Sequence, residues 1–272
     1  MPSSRLLAAV EVPVFQQHFW GYEITYPDHW VHATHGDVEA FALHPQALDV
    51  AYDGPRMGYL LIRAELNAYQ MPLDTLWAEH LSRIAIMHGA KQVGSKPYFV
   101  GQSKGFAAEL MLPRREDKRL WTAVLAAGGI VLHVLAMHRS SEALDFQPLI
   151  SSLRYASLVS GVTLSARGMP LPTGSLPVEP ADVFPDITAA DHWETYRASA
   201  AVDALQIFYA REAPAHGWEV LGYSPYPNRD PAIQHASLVL YRDGCGAAVH
   251  LLPHDIGTGF VVLHHPAVQT GS

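Results

Sequence analysis

Gly101-Gln102-Ser103-Lys104-Gly105 fits G-x-S-x-G, the pattern of a hydrolase nucleophile elbow. In an elbow a strand feeds a tight turn and a helix leaves it, so that the serine oxygen stands exposed beside amide donors. Residues 98–100 suit the strand. Residues 106–112 would have to be the helix, but Pro113 ends it within two turns, and the flanking pattern is not a repeated βαβ. A triad would draw on Asp186 or Asp230 with His235 or His254. The competing reading of the motif is a glycine-rich turn between two strands, which leaves a serine hydrolase using Ser103 as the enzymatic alternative.

The chain carries 16 histidines, so metal binding is the second chemistry to weigh. His32 and His35 fall in a loop-like stretch beside Asp37 and form the one candidate metal pair. His250 and His254 would share a strand face but stand roughly 13–14 Å apart at strand rise, too far for one ion. His133 and His138, an odd number apart, face opposite sides of a regular strand, as do the neighbours His264 and His265. No H-E-x-x-H appears. Half-buried amphipathic histidine is the simpler expectation.

Asp28-His29-Trp30 and Asp191-His192-Trp193 repeat a short pattern that could orient an imidazole. Adjacent residues point apart, however, and a turn entering a tryptophan-anchored strand explains both. Cys245 sits at a glycine-flanked hairpin tip with only Arg242 nearby to lower its pKa. As the single cysteine it excludes an intrachain disulfide. Gly128-Gly129 and the Gly257/Gly259 pair read as hairpin turns with no helix behind them to hold a phosphate. No cofactor is expected.

The elements that would position these residues follow from periodicity. Tyr22, Ile24 and Tyr26 alternate with polar residues as a half-buried strand, and residues 38–44 and 59–66 are the next strands. Pro72 opens a helix with an apolar stripe of Leu73, Leu76, Trp77, Leu81 and Ile84, and Gly89 is its stop. Residues 120–127 and 130–137 are nearly continuous apolar arms about Gly128-Gly129, which predicts a central hairpin covered on both faces. Phe146, Leu149, Ile150 and Leu153 give helical spacing for a closing helix. Residues 157–190 are rich in proline and glycine and read as a connector lying along the domains. Beyond it come a strand (193–199), a helix (200–213) with Val202, Leu205 and Tyr209 on its buried face, and strands at 218–223, 236–242, 247–252 and 259–264. The expected class is α+β in two domains, residues 1–156 and 191–272, each an antiparallel sheet packed against helices. A helix followed by His-Gly, at His88-Gly89 and His216-Gly217, suggests that the halves share a plan.

Composition narrows the function classes. Charged residues are only 16% of the 272-residue chain and apolar ones 49%, so part of the surface is expected to be covered by a partner. A net charge of -8, with no cluster of Lys and Arg beyond Arg114, Arg115, Lys118 and Arg119, argues against nucleic acid. No apolar run reaches transmembrane length, and Glu11 interrupts the short run Leu6 to Val10 before it resembles a signal peptide, so a cytoplasmic protein is expected.

The order of these features in the first half resembles the Mog1/PsbP-like family. The resemblance rests on Gly21-Tyr22-Glu23-Ile24-Thr25-Tyr26-Pro27 with Trp30 after it, the helix over 72–88, the strand over 106–112, the Gly128-Gly129 hairpin and the closing Phe146 to Leu153 segment. It implies an antiparallel sheet between helices and an accessory, assembly or chaperone-like role, with no functional residue to carry over. The second half resembles small bacterial β-α-β-β-β modules of unknown function through Phe208-Tyr209 and Gly217-Trp218. The leading expectation is therefore a non-enzymatic protein that binds a protein partner or itself. The remaining alternative is a small-ligand carrier whose cleft is lined by Trp20, Trp30, Trp77 and Trp121.

Overall fold

A computed structural model describes residues 13–49, 58–141, 144–155, 159, 161–183 and 192–266. In the first half the strands are β1 (Val14–Gln17), β2 (Tyr22–Thr25), β3 (Val31–His35), β4 (Val38–Ala42) and β5 (Gly58–Leu66). Helix α1 (Leu73–His88) follows, then β6 (Lys91–Gln92), β7 (Lys96–Val100), β8 (Ser103–Met111), β9 (Lys118–Ala127), β10 (Ile130–Arg139), α2 (Gln147–Ser151) and β11 (Arg154–Tyr155). The second half runs β12 (Val162–Leu164), β13 (Pro170–Pro172), β14 (Leu176–Val178), α3 (Pro180–Val183), β15 (Trp193–Ala198), α4 (Val202–Ala215), β16 (Glu219–Ser224), β17 (Ala236–Arg242), β18 (Cys245–Pro253) and β19 (Gly259–His264). Strand outweighs helix, and every strand pairing is antiparallel.

The apolar arms β9 and β10 lie at the centre of an eight-stranded sheet ordered β3-β4-β5-β10-β9-β8-β6, with β7 also on β8. Gly128 and Gly129, at φ +56° and +94°, make the tight turn that joins them. One face of this sheet carries α1, whose Leu76, Trp77 and Ile84 pack on Leu110, Leu120, Val124 and Val131. The opposite face is closed by the three-stranded sheet β1-β2-β11 and by α2, through Tyr22, Ile24, Trp30, Phe146, Leu149 and Ile150. Both faces are covered, which is why both arms are apolar at nearly every position.

The second sheet is six-stranded, ordered β14-β15-β19-β18-β17-β16. Its connectivity repeats that of the first. In each half a strand leads into the long helix, the chain then enters at the far edge, and three further antiparallel strands bring it back beside the strand where it began. Thus β5, α1, β8, β9 and β10 correspond to β15, α4, β17, β18 and β19. The short helical turn at Pro45–Leu48 between β4 and β5 likewise corresponds to α3 between β14 and β15. Gly89 and Gly217, at φ +63° and +80°, end the two long helices in the left-handed conformation that glycine adopts without strain. The hairpin 236–252 therefore matches β8-β9 rather than the apolar hairpin 120–137.

The connector expected over 157–190 is largely structured where it is described. β12 and β13 form a hairpin whose Leu171, with the neighbouring Met169, is buried in the core of the second sheet, and β14 is an edge strand of that sheet. The prolines are accommodated because hairpin arms and edge strands leave backbone N–H positions unpaired.

The halves meet on α4. Unlike α1, whose outer face is exposed, α4 buries Val202, Ala204, Leu205, Gln206, Phe208, Tyr209, Ala210 and Ala213. A Cβ on Gly129 would lie 3.3 Å from Arg211 N and 3.4 Å from Ile207 O, so only glycine lets the β9–β10 tip rest on the helix backbone. Gln70 donates its side-chain amide to Ala210 O at 2.7 Å, and Tyr223 N donates to the Tyr69 hydroxyl at 3.2 Å.

Candidate functional site

Ser103 does not sit on an elbow. Val100 pairs with Ser103 across the two-residue turn Gly101-Gln102, so strand follows strand. Gly101, at φ +56°, supplies the turn. A Cβ on Gly105 would lie 1.8 Å from Val124 O, so that glycine exists for the close approach of β8 to β9. Sheet geometry thus explains both glycines of the motif. Ser103 is 1% exposed. Its side chain faces the Tyr155 hydroxyl, which burial holds well above the ordinary phenol pKa, and neither oxygen meets another partner. The described triad partners are engaged elsewhere, His235 against His250. The Asp230 carboxylate accepts from Ala232 N, His254 lies against Asp255 and Phe260, and Asp186 falls outside the described residues.

The loop placement of the candidate metal pair is corrected. His32 and His35 lie on β3, not in a loop, and three positions along a strand put them on opposite faces. His32 Nε2 is 2.8 Å from Glu39 Oε2, which also accepts from Thr34 at 2.6 Å, while Gln17 donates to the other carboxylate oxygen at 2.7 Å. A buried carboxylate saturated in this way is a structural anchor. No group of three metal-ligating side chains occurs among the described residues. The repeated Asp-His-Trp pattern has no common role: Trp30 is buried ahead of β3, Trp193 begins β15, and these strands are not counterparts. Asp191 lies outside the described residues. Cys245 is exposed at the β17–β18 turn.

Periodicity placed α1 but missed what it carries. His80 Nε2 is 2.6 Å from Thr122 Oγ1, and Thr122 donates to Val134 O at 2.6 Å, so the imidazole nitrogen must be the donor. His80 Nδ1 is then an acceptor for His133 Nδ1, 3.1 Å away. His133 Nε2 lies 2.9 Å from Glu65 Oε1, within ion-pair distance though off the line of a good hydrogen bond. Burial above all, with His133 beside it, pulls the His80 pKa down to about 3. The His133 ring beside its carboxylate lowers that of Glu65. The signal lay in the helix itself, because His80 falls between Trp77 and Ile84 on the apolar stripe.

No protein-family model matches the chain, and no curated protein matches it in sequence. Among solved structures it is similar to PsbP of the cyanobacterium Synechocystis, at 12% identity and a TM-score of 0.42, over 57% of this chain and 99% of that one. It is also similar to a protein from Bacteroides thetaiotaomicron, at 10% identity and a TM-score of 0.40, over 89% of this chain and 87% of that one. A protein of unknown function from Pseudomonas aeruginosa matches at 13% identity and a TM-score of 0.32, over 51% and 90%. Scores this low support no functional inference. No helix among the described residues is long and apolar enough to cross a membrane.

Two surfaces remain. The first is the face of the second sheet turned away from α4. In the first half the matching face is closed by β1-β2-β11 and α2, whereas here Leu221, Val239 and Tyr241 at the β16–β17 end stand 56%, 50% and 43% exposed, and Val262 and Thr195 on β19 and β15 are buried. Half-buried His250, Phe260 and His264 continue the face, and His264 stacks on Trp193 at 4.3 Å between ring centres. Burial, with His235 and His264 near, draws the His250 pKa down to about 4. Glu219 pairs with Tyr241, and Arg197 with Phe260, so an acid and a base occupy diagonally opposite corners of the face.

The second is a cleft of about 190 Å³ between the halves, lined by Trp20, Gln102, Ile130, Tyr155, Phe208 and Arg211 among others. The tryptophans expected to share one cleft are dispersed. Trp20 is on this one, Trp121 borders a groove with Val93 and Lys96, and Trp30 and Trp77 are core residues on opposite faces of the first sheet.

Proposed function

We propose that the protein is a non-enzymatic assembly module that self-associates through the outer face of its second sheet. The observation that carries this reading is internal to the chain. The same sheet connectivity occurs twice, and among the described residues only the first copy carries a layer of strands on that face, while the second leaves its β16–β17 end exposed and buries Val262 and Thr195 nearer its centre. Exposed Leu221, Val239 and Tyr241 mark an apolar patch of the kind that proteins usually cover. A second copy fits it by charge. A two-fold axis lying in the interface can set Glu219 of one copy over Arg197 of the other, as a self-complementary contact requires. Neither side chain forms an ion pair within the described residues. The absence of an elbow at Ser103 and the engagement of His32 favour binding over catalysis.

Sedimentation equilibrium of the purified chain tests this reading. A dimer is expected at micromolar concentration, with Val239→Glu and Tyr241→Glu shifting it to monomer without loss of secondary structure. Arg197→Glu should weaken the dimer, and adding Glu219→Arg should restore it. A wild-type chain that remains monomeric at those concentrations removes self-association as the function.

A further inference from the structure

The groove beside Trp121 on the first sheet carries chemistry that the assembly reading does not use. We infer that it binds a free, zwitterionic α-amino acid with an apolar, ring-bearing side chain. The groove exists because the chain leaves the sheet edge between β6 and β7. Gln92 pairs with Leu110 and Lys96 with Ala107, so Val93, Gly94 and Ser95 span a stretch that β8 covers with Ala108 and Glu109 alone. Such a bulge bends the edge strand away from its neighbour. It opens a volume of about 290 Å³ lined by Ala107 and Ala108, both buried, with Trp121 beside them. A cavity of about 150 Å³ holds one benzene ring, so there is room here for a ring and the backbone of one amino acid.

Trp121 is the aromatic wall. It is half-buried, and Tyr98 meets it edge-on at 5.4 Å between ring centres, which holds the indole in place while it lines the groove. A flat apolar surface of this kind suits a ligand ring. Glu109 is the register partner of Trp121 and lies on the same face of the sheet, so an ammonium drawn to that carboxylate also lies beside the indole.

The charges set the class of ligand. Lys96 and Glu109 are both exposed on the groove, on neighbouring strands and one diagonal step apart, where long side chains converge. Neither forms an ion pair within the described residues. The backbone N–H groups of Gly94 and Ser95 have no backbone acceptor either. The β7 side of the groove therefore offers an ammonium and two amides to a carboxylate, and the β8 side offers a carboxylate to an ammonium. A plain amine would meet Lys96 unopposed, and a plain acid would meet Glu109. A zwitterion satisfies both ends at once.

Ligand-observed NMR of the full-length chain, with phenylalanine, phenethylamine and hydrocinnamate as probes, tests the inference. Phenethylamine lacks the carboxylate and hydrocinnamate lacks the ammonium. Saturation transfer to phenylalanine is expected at millimolar concentration, with each single-charge analogue about threefold weaker or worse, as one exposed ion pair allows. Lys96→Gln should remove the advantage of phenylalanine over phenethylamine and keep its advantage over hydrocinnamate. Glu109→Gln should do the opposite. Trp121→Leu should abolish binding of all three, and if that variant does not fold, the two exposed charge variants decide alone. The inference is overturned if phenylalanine shows no transfer at tens of millimolar, if either single-charge analogue binds as well, or if the two charge variants lack this reciprocal pattern. The groove belongs to the first sheet and the proposed self-association to the second, so failure here leaves the assembly reading standing, and the reverse.

Discussion

His133 Nδ1 and His80 Nδ1 stand 3.1 Å apart between α1 and the first sheet, an approach that one proton can satisfy and two cannot. With His80 held neutral by burial and committed to Thr122, the helix is tied to β9 and β10 by a chain of polar contacts running from Val134 O to Glu65.

Acid should therefore weaken the fold. His80 and His250 have folded-state pKa values depressed to about 3 and about 4. The unfolded chain binds those protons first. Their stabilisation is complete above about pH 6.5 and declines as pH falls through the window toward 4 and 3. Glu65, lowered as well, adds a loss of the same sign below the ordinary carboxylate range. Urea unfolding between pH 7 and pH 4 should show a loss of a few kcal/mol, to an order of magnitude. His80→Gln, which has no titrating group, should flatten that slope by close to one proton. A slope unchanged in His80→Gln would assign the acid sensitivity to other groups.

The glycines of the G-x-S-x-G motif should matter to folding and not to chemistry. Gly105→Ala drives a Cβ into Val124 O, and expression in soluble form should be lost or stability reduced by more than about 3 kcal/mol. Gly101→Ala meets no atom within 4 Å and bears only the strain of φ +56°, about 1 kcal/mol. Denaturation midpoints of the two variants should rank accordingly.

Ser103→Ala should leave stability within about 1 kcal/mol of the parent, because it removes a buried hydroxyl with few partners. A fluorophosphonate probe should add no mass to the native protein by intact mass spectrometry. Stoichiometric labelling at Ser103 would restore the hydrolase alternative.

Docking of the two halves should rest on the β9–β10 tip. Gly129→Val places side-chain atoms against the α4 backbone and forbids φ +94°. Calorimetry should resolve two unfolding transitions where the parent shows one. Gln70→Ala, which removes only the 2.7 Å bond to Ala210 O, should cost about 1 kcal/mol and keep the transition single.

Much of this architecture was legible beforehand where burial on both faces or a turn dictated residue type. The hairpin about Gly128-Gly129 and strands β17 and β19 fall where period and turn chemistry place them, and α1 ends at the glycine that stops it. Short edge strands were not legible. β1, β3 and β12 to β14 are too brief or too rich in proline to carry a period, and they exist because a neighbouring strand offers them hydrogen bonds. Of the candidate sites, Ser103 was found as a motif, but its surroundings were not.

The order of apolar and polar residues alone was enough to determine a mostly antiparallel chain with few helices and more than one sheet, since period depends only on neighbours along the chain. Which groups meet across the fold was decided in three dimensions. Glu65, His80, Thr122 and His133 are distant in sequence, and strand register together with helix rotation makes them one network. The same holds for the exposed end of the second sheet: nothing in β16 and β17 announces that Leu221, Val239 and Tyr241 face outward, because the layer over the matching face in the first half comes from β1, β2, β11 and α2, segments outside the shared pattern.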